Sequence, residues 1–239
     1  MWSKFLISIA FISSLFLIIF FAEHLTQLRF ISRETAPNEQ DDGVSSEQTS
    51  FDVKGDAKLL FVGDMFFDRY IRKMARIYGE DYLFTCADKV FDSEDMVIGN
   101  LEGPITNEPS ISEGSEIGSP ENYRFTFPTT TAELLRRHSI SSVDLGNNHI
   151  ANYGTDGLRE TKHYLTLAQV GYFGGIIGDE AVLESEVNGL PIAFVSYNAF
   201  LGTSTDAVAQ VIRAEKEQGR IVIVSAHWGD EYSTATEKL

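Results

Sequence analysis

A single cysteine, Cys86, stands among the 239 residues. It excludes an intrachain disulfide and any metal site built on several thiolates. As a small apolar side chain it is expected to be buried. Positive charge is also scarce: 19 Lys and Arg face 35 Asp and Glu, a net charge of −16. A nucleic-acid binder needs a basic face that displaces counterions, and no Lys/Arg cluster stands out, so DNA and RNA are excluded as partners. The same acidity opposes binding of a polyanion through the general field, unless a metal ion reverses the charge locally. Neither a G-x-S-x-G elbow nor a Walker phosphate loop occurs, which argues against serine-hydrolase and P-loop chemistry.

What is present begins with one hydrophobic run. Phe5 to Ala22 reads FLISIAFISSLFLIIFFA, without charge, proline or glycine. Eighteen helical residues span about 27 Å, close to a hydrocarbon core of about 30 Å. The run exceeds the core of a cleaved signal peptide, and Phe20-Phe21-Ala22-Glu23-His24 is a poor cleavage site. An uncleaved signal anchor is therefore expected, with residues 1–4 cytoplasmic and Lys4 on the inner side. Residues 23–56 read as a flexible acidic tether. From Ile31 to Ser50 within it, Glu34, Glu39, Asp41, Asp42 and Glu47 face Arg33 alone, with too little apolar surface to offset ordering entropy. Residues 57–239 form the domain, expected on the extracytoplasmic side of the membrane.

From Ala57 onward, short apolar runs alternate with helical patterns. Strands are predicted at Lys58–Val62, Met96–Ile98, Ser141–Leu145, Val170–Phe173, Ile192–Tyr197 and Ile221–Ala226. Several show little alternation, as fits strands covered on both faces. Helices are predicted at Asp68–Tyr78, Thr130–His138, Thr155–Ala168 and Asp206–Glu217, with Thr155 as an N-cap. This order implies a layered α/β domain. Asn107–Asn122 interrupts it as a long polar loop, functional or simply exposed.

Ligands in α/β sheets bind beyond the carboxyl ends of strands, and four polar motifs follow predicted strands here. Gly63-Asp64 presents a carboxylate, or else a turn or capping Asp. In Ile98-Gly99-Asn100-Leu101-Glu102-Gly103-Pro104, Asn100 and Glu102 point the same way if extended. Asp144-Leu145-Gly146-Asn147-Asn148-His149 sets an amide oxygen beside an imidazole: two metal ligands, or one ligand and a proton donor. Val224-Ser225-Ala226-His227-Trp228 delivers an imidazole to the same edge, with Trp228 expected to pack beneath the site. Mixed oxygen and imidazole donors without cysteine suit Mn, Zn, Fe or Mg. His138 and His163 fall in helical patterns and read as structural.

Taken in order, LLFVGDMFFDR (59–69), VIGNLEGPIT (97–106), FTFP (125–128), VDLGNNHIANYGTDGL (143–158), IAFVSYN (192–198) and IVIVSAHWGDEY (221–232) resemble the capsule-synthesis CapA family, called PgsA in poly-γ-glutamate producers. The resemblance implies a calcineurin-type, metallophosphatase-like αββα sandwich. It also implies Asp64, Glu102, Asn148 and His227 as metal ligands, and His149 as a ligand or the general acid, with Asn148 beside it in the catalytic group. Asn100, Asn147 and Trp228 would contact substrate or support the ligands. Asn152 stands where the family usually carries Asp. Family members continue to a histidine-rich motif beyond Leu239, so a domain incomplete at its C-terminus is expected. The implied role is poly-γ-glutamate capsule biosynthesis or export, with the polymer and capsule synthase subunits as partners. Two readings follow: a metal-dependent hydrolase or transferase, or a non-catalytic membrane subunit.

Overall fold

The computed structural model describes residues 55–176 and 181–229. The predicted anchor and residues 23–54 of the tether lie outside them. Among the described residues, no helix is long and apolar enough to cross a membrane.

Four parallel strands form the first sheet in the order β1 (Leu59–Met65), β2 (Met96–Leu101), β3 (Ser142–Asp144) and β4 (Gly171–Phe173). The second sheet holds β5 (Val182–Val187), β6 (Leu190–Asn198) and β7 (Ile221–His227), with β5 antiparallel and β7 parallel to β6. The helices are α1 (Arg69–Tyr78), α2 (Asp88–Phe91), α3 (Thr131–Arg137), α4 (Gly154–Leu167) and α5 (Thr205–Glu217). This is the expected α/β class, with one parallel and one mixed sheet.

Two apolar layers hold it together. Leu101, Ile105, Phe127, Leu135 and Leu165 are fully buried in the larger, where helices and loops cover the first sheet. Met96, Ile98, Phe173, Ile192 and Phe194 form the smaller, between the sheets, with Phe173 and Phe194 ring centroids 5.9 Å apart. Five of the six residues of β2 are buried, which explains its unbroken apolar reading: both faces are covered.

Several boundaries differ from the sequence reading. β1 and β2 run on through Gly63-Asp64 and Gly99-Asn100, so these residues lie within strands rather than past them. A register shift between Phe61 and Asp64 lets β1 continue, and re-aims its end. α4 begins at Gly154, so Thr155 is inside it and not its N-cap. Asp68 caps α1 instead of belonging to it, accepting from the Arg69 amide. Strand β5 has no counterpart among the predicted strands, although Asn188-Gly189, both at positive φ, is a two-residue hairpin turn readable from the sequence. Cys86 is exposed, not buried.

Candidate metal centre

The ends of β1, β2, β3 and β7 meet at one edge. In register, Asp64 lies beside Asn100 and Asn100 beside Asp144, while His227 closes β7 beside Asn198 of β6. A cavity of about 470 Å³ opens there, and Asp64, Glu102, Asn148, His149, His227 and Trp228 all line it. The four predicted metal ligands thus face a common cleft.

Asp64, Glu102 and His227 each offer a donor atom, and these atoms lie within 4.8 Å of one another. His227 Nε2 is 3.8 Å from Glu102 Oε1 and 3.1 Å from Asn148 Oδ1. His149 Nε2 is 3.9 Å from the same Glu102 oxygen. Two carboxylates so close repel when both are ionised. The Asn100 amide offsets this in part, donating to Asp64 Oδ1 at 2.7 Å and also to Glu102 Oε2. A divalent cation offsets it fully, so the donor set fits one. Oxygen and imidazole together suit Mn, Zn or Fe better than Mg.

Asn100 and Asn147 do not line the cavity; they hold the residues that do. Asn147 is fully buried, donates to Asn100 Oδ1 at 2.9 Å and to Leu101 O at 2.8 Å, and accepts from the His149 amide at 3.0 Å. Asn198 in turn donates to Asn147 O at 3.0 Å, tying this loop to the second sheet. Trp228 is 57% exposed at the rim, edge-on to Tyr197, and does not pack beneath the site. His138, read as structural, is so: it stacks on Phe84 and sits 2.6 Å from Asp88.

The imidazole of His149 packs against Phe125 at 4.1 Å, and its Nδ1 lies 3.3 Å from Asn152 Oδ1. That carbonyl also accepts from the Phe125 amide at 2.7 Å, which fixes it as an acceptor. An acceptor at Nδ1 puts the ring proton there and leaves Nε2 facing the cavity.

Residues 58–238 match the family described as Bacterial capsule synthesis protein PGA_cap. The chain belongs to that family. This PGA_cap member is 26% identical over 194 residues to the PGA biosynthesis protein CapA of Bacillus subtilis, covering 72% of this chain and 49% of that one. It is 24% identical over 197 residues to the capsule biosynthesis protein CapA of Bacillus anthracis, covering 73% and 47%. The chain thus spans about half the length of these curated relatives. A hypothetical protein from Thermus thermophilus is a solved structure similar at TM-score 0.41 and 19% identity, over 72% of this chain and 58% of that one.

Beneath the centre of this PGA_cap domain lies a buried seam that the strand-end motifs do not disclose. Asp144 Oδ1 accepts from the Gly146 amide at 2.7 Å and from Ser196 Oγ at 2.8 Å, joining β3 to β6. A Cβ on Gly146 would stand 1.9 Å from Ser196 Oγ, so only glycine lets the sheets close here. Burial pushes the Asp144 carboxyl above its ordinary range, against the opposing bonds from Ser225, Gly146 and Ser196 and the charge of His227. Folding therefore favours the protonated acid. That contribution is complete below the unfolded pKa and is lost as pH rises through the higher folded value. Asp144→Asn, which cannot ionise, should lack this dependence. Denaturant unfolding of both proteins across the acid range should show wild type losing stability relative to Asp144→Asn as pH rises. A constant difference between them would mean that folding leaves the Asp144 pKa unshifted.

Proposed function

We propose that the chain is a membrane-held, extracytoplasmic component of poly-γ-glutamate capsule biosynthesis or export, and that its cleft is a metallophosphatase-like, metal-dependent hydrolase or transferase site. The observation that carries the catalytic part is the convergence of Asp64, Glu102 and His227 donor atoms within 4.8 Å. Family membership supports the capsule role.

Asp64, Glu102 and His227, with Asn148 beside them, would hold a divalent ion, which would supply Lewis acidity there. The chain's own residues do the rest. Asn100 and Asn147 hold the carboxylates and the Asn148–His149 loop in place, reducing the reorganisation needed at reaction. His149, oriented by Asn152, presents Nε2 to exchange a proton with a leaving or attacking group. The test is turnover of poly-γ-glutamate and of a phosphoester by chelator-treated protein, before and after adding Mn or Zn. Metal-stimulated turnover supports the catalytic reading. Polymer retention with no turnover under any ion makes the chain a non-catalytic subunit instead.

The uncharged Phe5–Ala22 run supports the membrane attachment. Protease added to intact cells should release a soluble fragment starting within about residues 31–56, since exposed tethers are preferred nicking sites. Digestion only after lysis would put the domain in the cytoplasm.

A further inference from the structure

Two cavities meet at Arg69. It lines the metal cleft of about 470 Å³ and a neighbouring groove of about 830 Å³ between α1 and the 112–122 loop, and it is the one residue common to both. No other Lys or Arg lines the metal cleft among the described residues.

Its placement is forced from several sides. The backbone is left-handed, at φ 51, a conformation costly for a residue with a long side chain. The guanidinium lies 4.5 Å over Phe125 and 5.4 Å over Tyr123, cation–π contacts that hold its plane. Nε donates to Asn122 O at 2.8 Å, and Nη2 donates to the same carbonyl. A guanidinium carries five N–H donors in a planar fork. The edge formed by Nη1 and the second Nη2 hydrogen therefore stays open, with no partner among the described residues. Such an edge matches a carboxylate bidentately.

Neighbouring charges narrow the choice. The composition hid a local concentration of cations, since Arg69, Arg72, Lys73 and Arg76 all fall on α1. Arg72 is neutralised by Asp68 and Arg76 by Glu113. Lys73 is exposed in the groove and has no ion pair among the described residues. It follows Arg69 by one helical turn, about 6 Å along the axis, on the same face. On a chain of net charge −16, these two cations mark where a polyanion can approach without repulsion.

We propose that Arg69 is the recognition residue for a free α-carboxylate of the γ-glutamyl polymer, with Lys73 meeting the next along the groove. This rests on the capsule-polymer reading above and assigns its substrate-binding residue. The polymer would cross from the groove into the cleft at Arg69, presenting its backbone to the metal centre.

The experiment is calorimetric titration of a γ-glutamyl pentamer, and of the same pentamer with amidated carboxylates, into the detergent-solubilised full chain with Mn present. Wild type should bind the charged pentamer at least about 10-fold more tightly than the amidated one, as charge-assisted fork bonds require. Arg69→Met should remove most of that preference, Arg69→Lys should restore part of it, and Lys73→Met should weaken binding about threefold. Mn affinity should stay within about twofold throughout, because neither cation contacts the metal donors. Equal affinity of wild type and a folded Arg69→Met for the charged pentamer overturns the inference. If Arg69→Met does not fold, Arg69→Lys binding as tightly as wild type overturns it, since the fork is then dispensable. A wild-type chain that holds Mn but ignores the pentamer also overturns it, while leaving the metal centre standing. Arg69-dependent pentamer binding without Mn binding supports the inference and argues against a Mn centre.

Discussion

Glu102→Ala should lower Mn or Zn affinity by at least about 100-fold, among the largest effects expected at the cleft. Changes to residues that merely support a metal's ligands already cost about 10–100-fold. Glu102 stands between both imidazoles, 3.8 Å from His227 Nε2 and 3.9 Å from His149 Nε2. Asp64→Ala and His227→Ala should weaken binding by similar factors, each removing one of the three clustered donors. His149→Ala should behave differently. If its Nε2 exchanges a proton, the loss falls on turnover far more than on metal affinity. Calorimetric titration of each variant, paired with the turnover assay, separates the roles. Should Glu102→Ala bind either ion as tightly as wild type, the cleft is not a metal centre. The carboxylates would then be an acidic pair steadied by Asn100 and the nearby imidazoles.

Asp68→Ala should destabilise the domain by about 3–5 kcal/mol, the range for stripping one partner from a buried ion pair. Asp68 has no exposed surface. Its carboxylate accepts from the Arg69 amide at 2.8 Å, Arg72 Nε at 3.0 Å, Ser110 Oγ at 2.6 Å, Ser112 Oγ at 2.8 Å and the Thr126 amide at 3.0 Å. Alanine leaves Ser112, the Thr126 amide and a largely buried guanidinium without that acceptor. These bonds fasten the polar 107–122 loop to the start of α1, so the loop is a fixed wall of the groove and not a loose excursion. Asp68→Ala should therefore also open this loop to limited proteolysis and weaken pentamer binding through Arg69. Chemical denaturation and timed proteolysis measure both. A loss below about 1 kcal/mol, with the loop still resistant, would show that other contacts hold it.

The site is legible in part because strand ends carry their own signature. Apolar runs that stop at Gly-Asp, Gly-Asn and Asn-Asn-His place polar groups where a parallel sheet gathers ligands. That reasoning locates Asp64, Glu102, Asn148, His149 and His227 without any knowledge of the fold. Asp68 escapes it because a helix-capping Asp looks alike whether it bonds one local amide or five groups up to 58 residues away. Arg69 escapes it because net charge averages over the chain, whereas recognition depends on which cations find no counter-ion in space. Cys86 misleads because burial preference is a population tendency, and local packing overrides it.

The α/β class, the order of most strands and helices, and the residue types of the candidate centre follow from periodicity and strand-end chemistry, which are local. Which asparagines line the cleft and which brace it is a matter of long-range packing. That choice rests on contacts between β2, β3 and β6, far apart along the chain. The same holds for the Asp144–Ser196 seam: a carboxylate and a hydroxyl 52 residues apart meet only because Gly146 lets two sheets close over them. Distances of this kind are set by packing, which no single segment encodes.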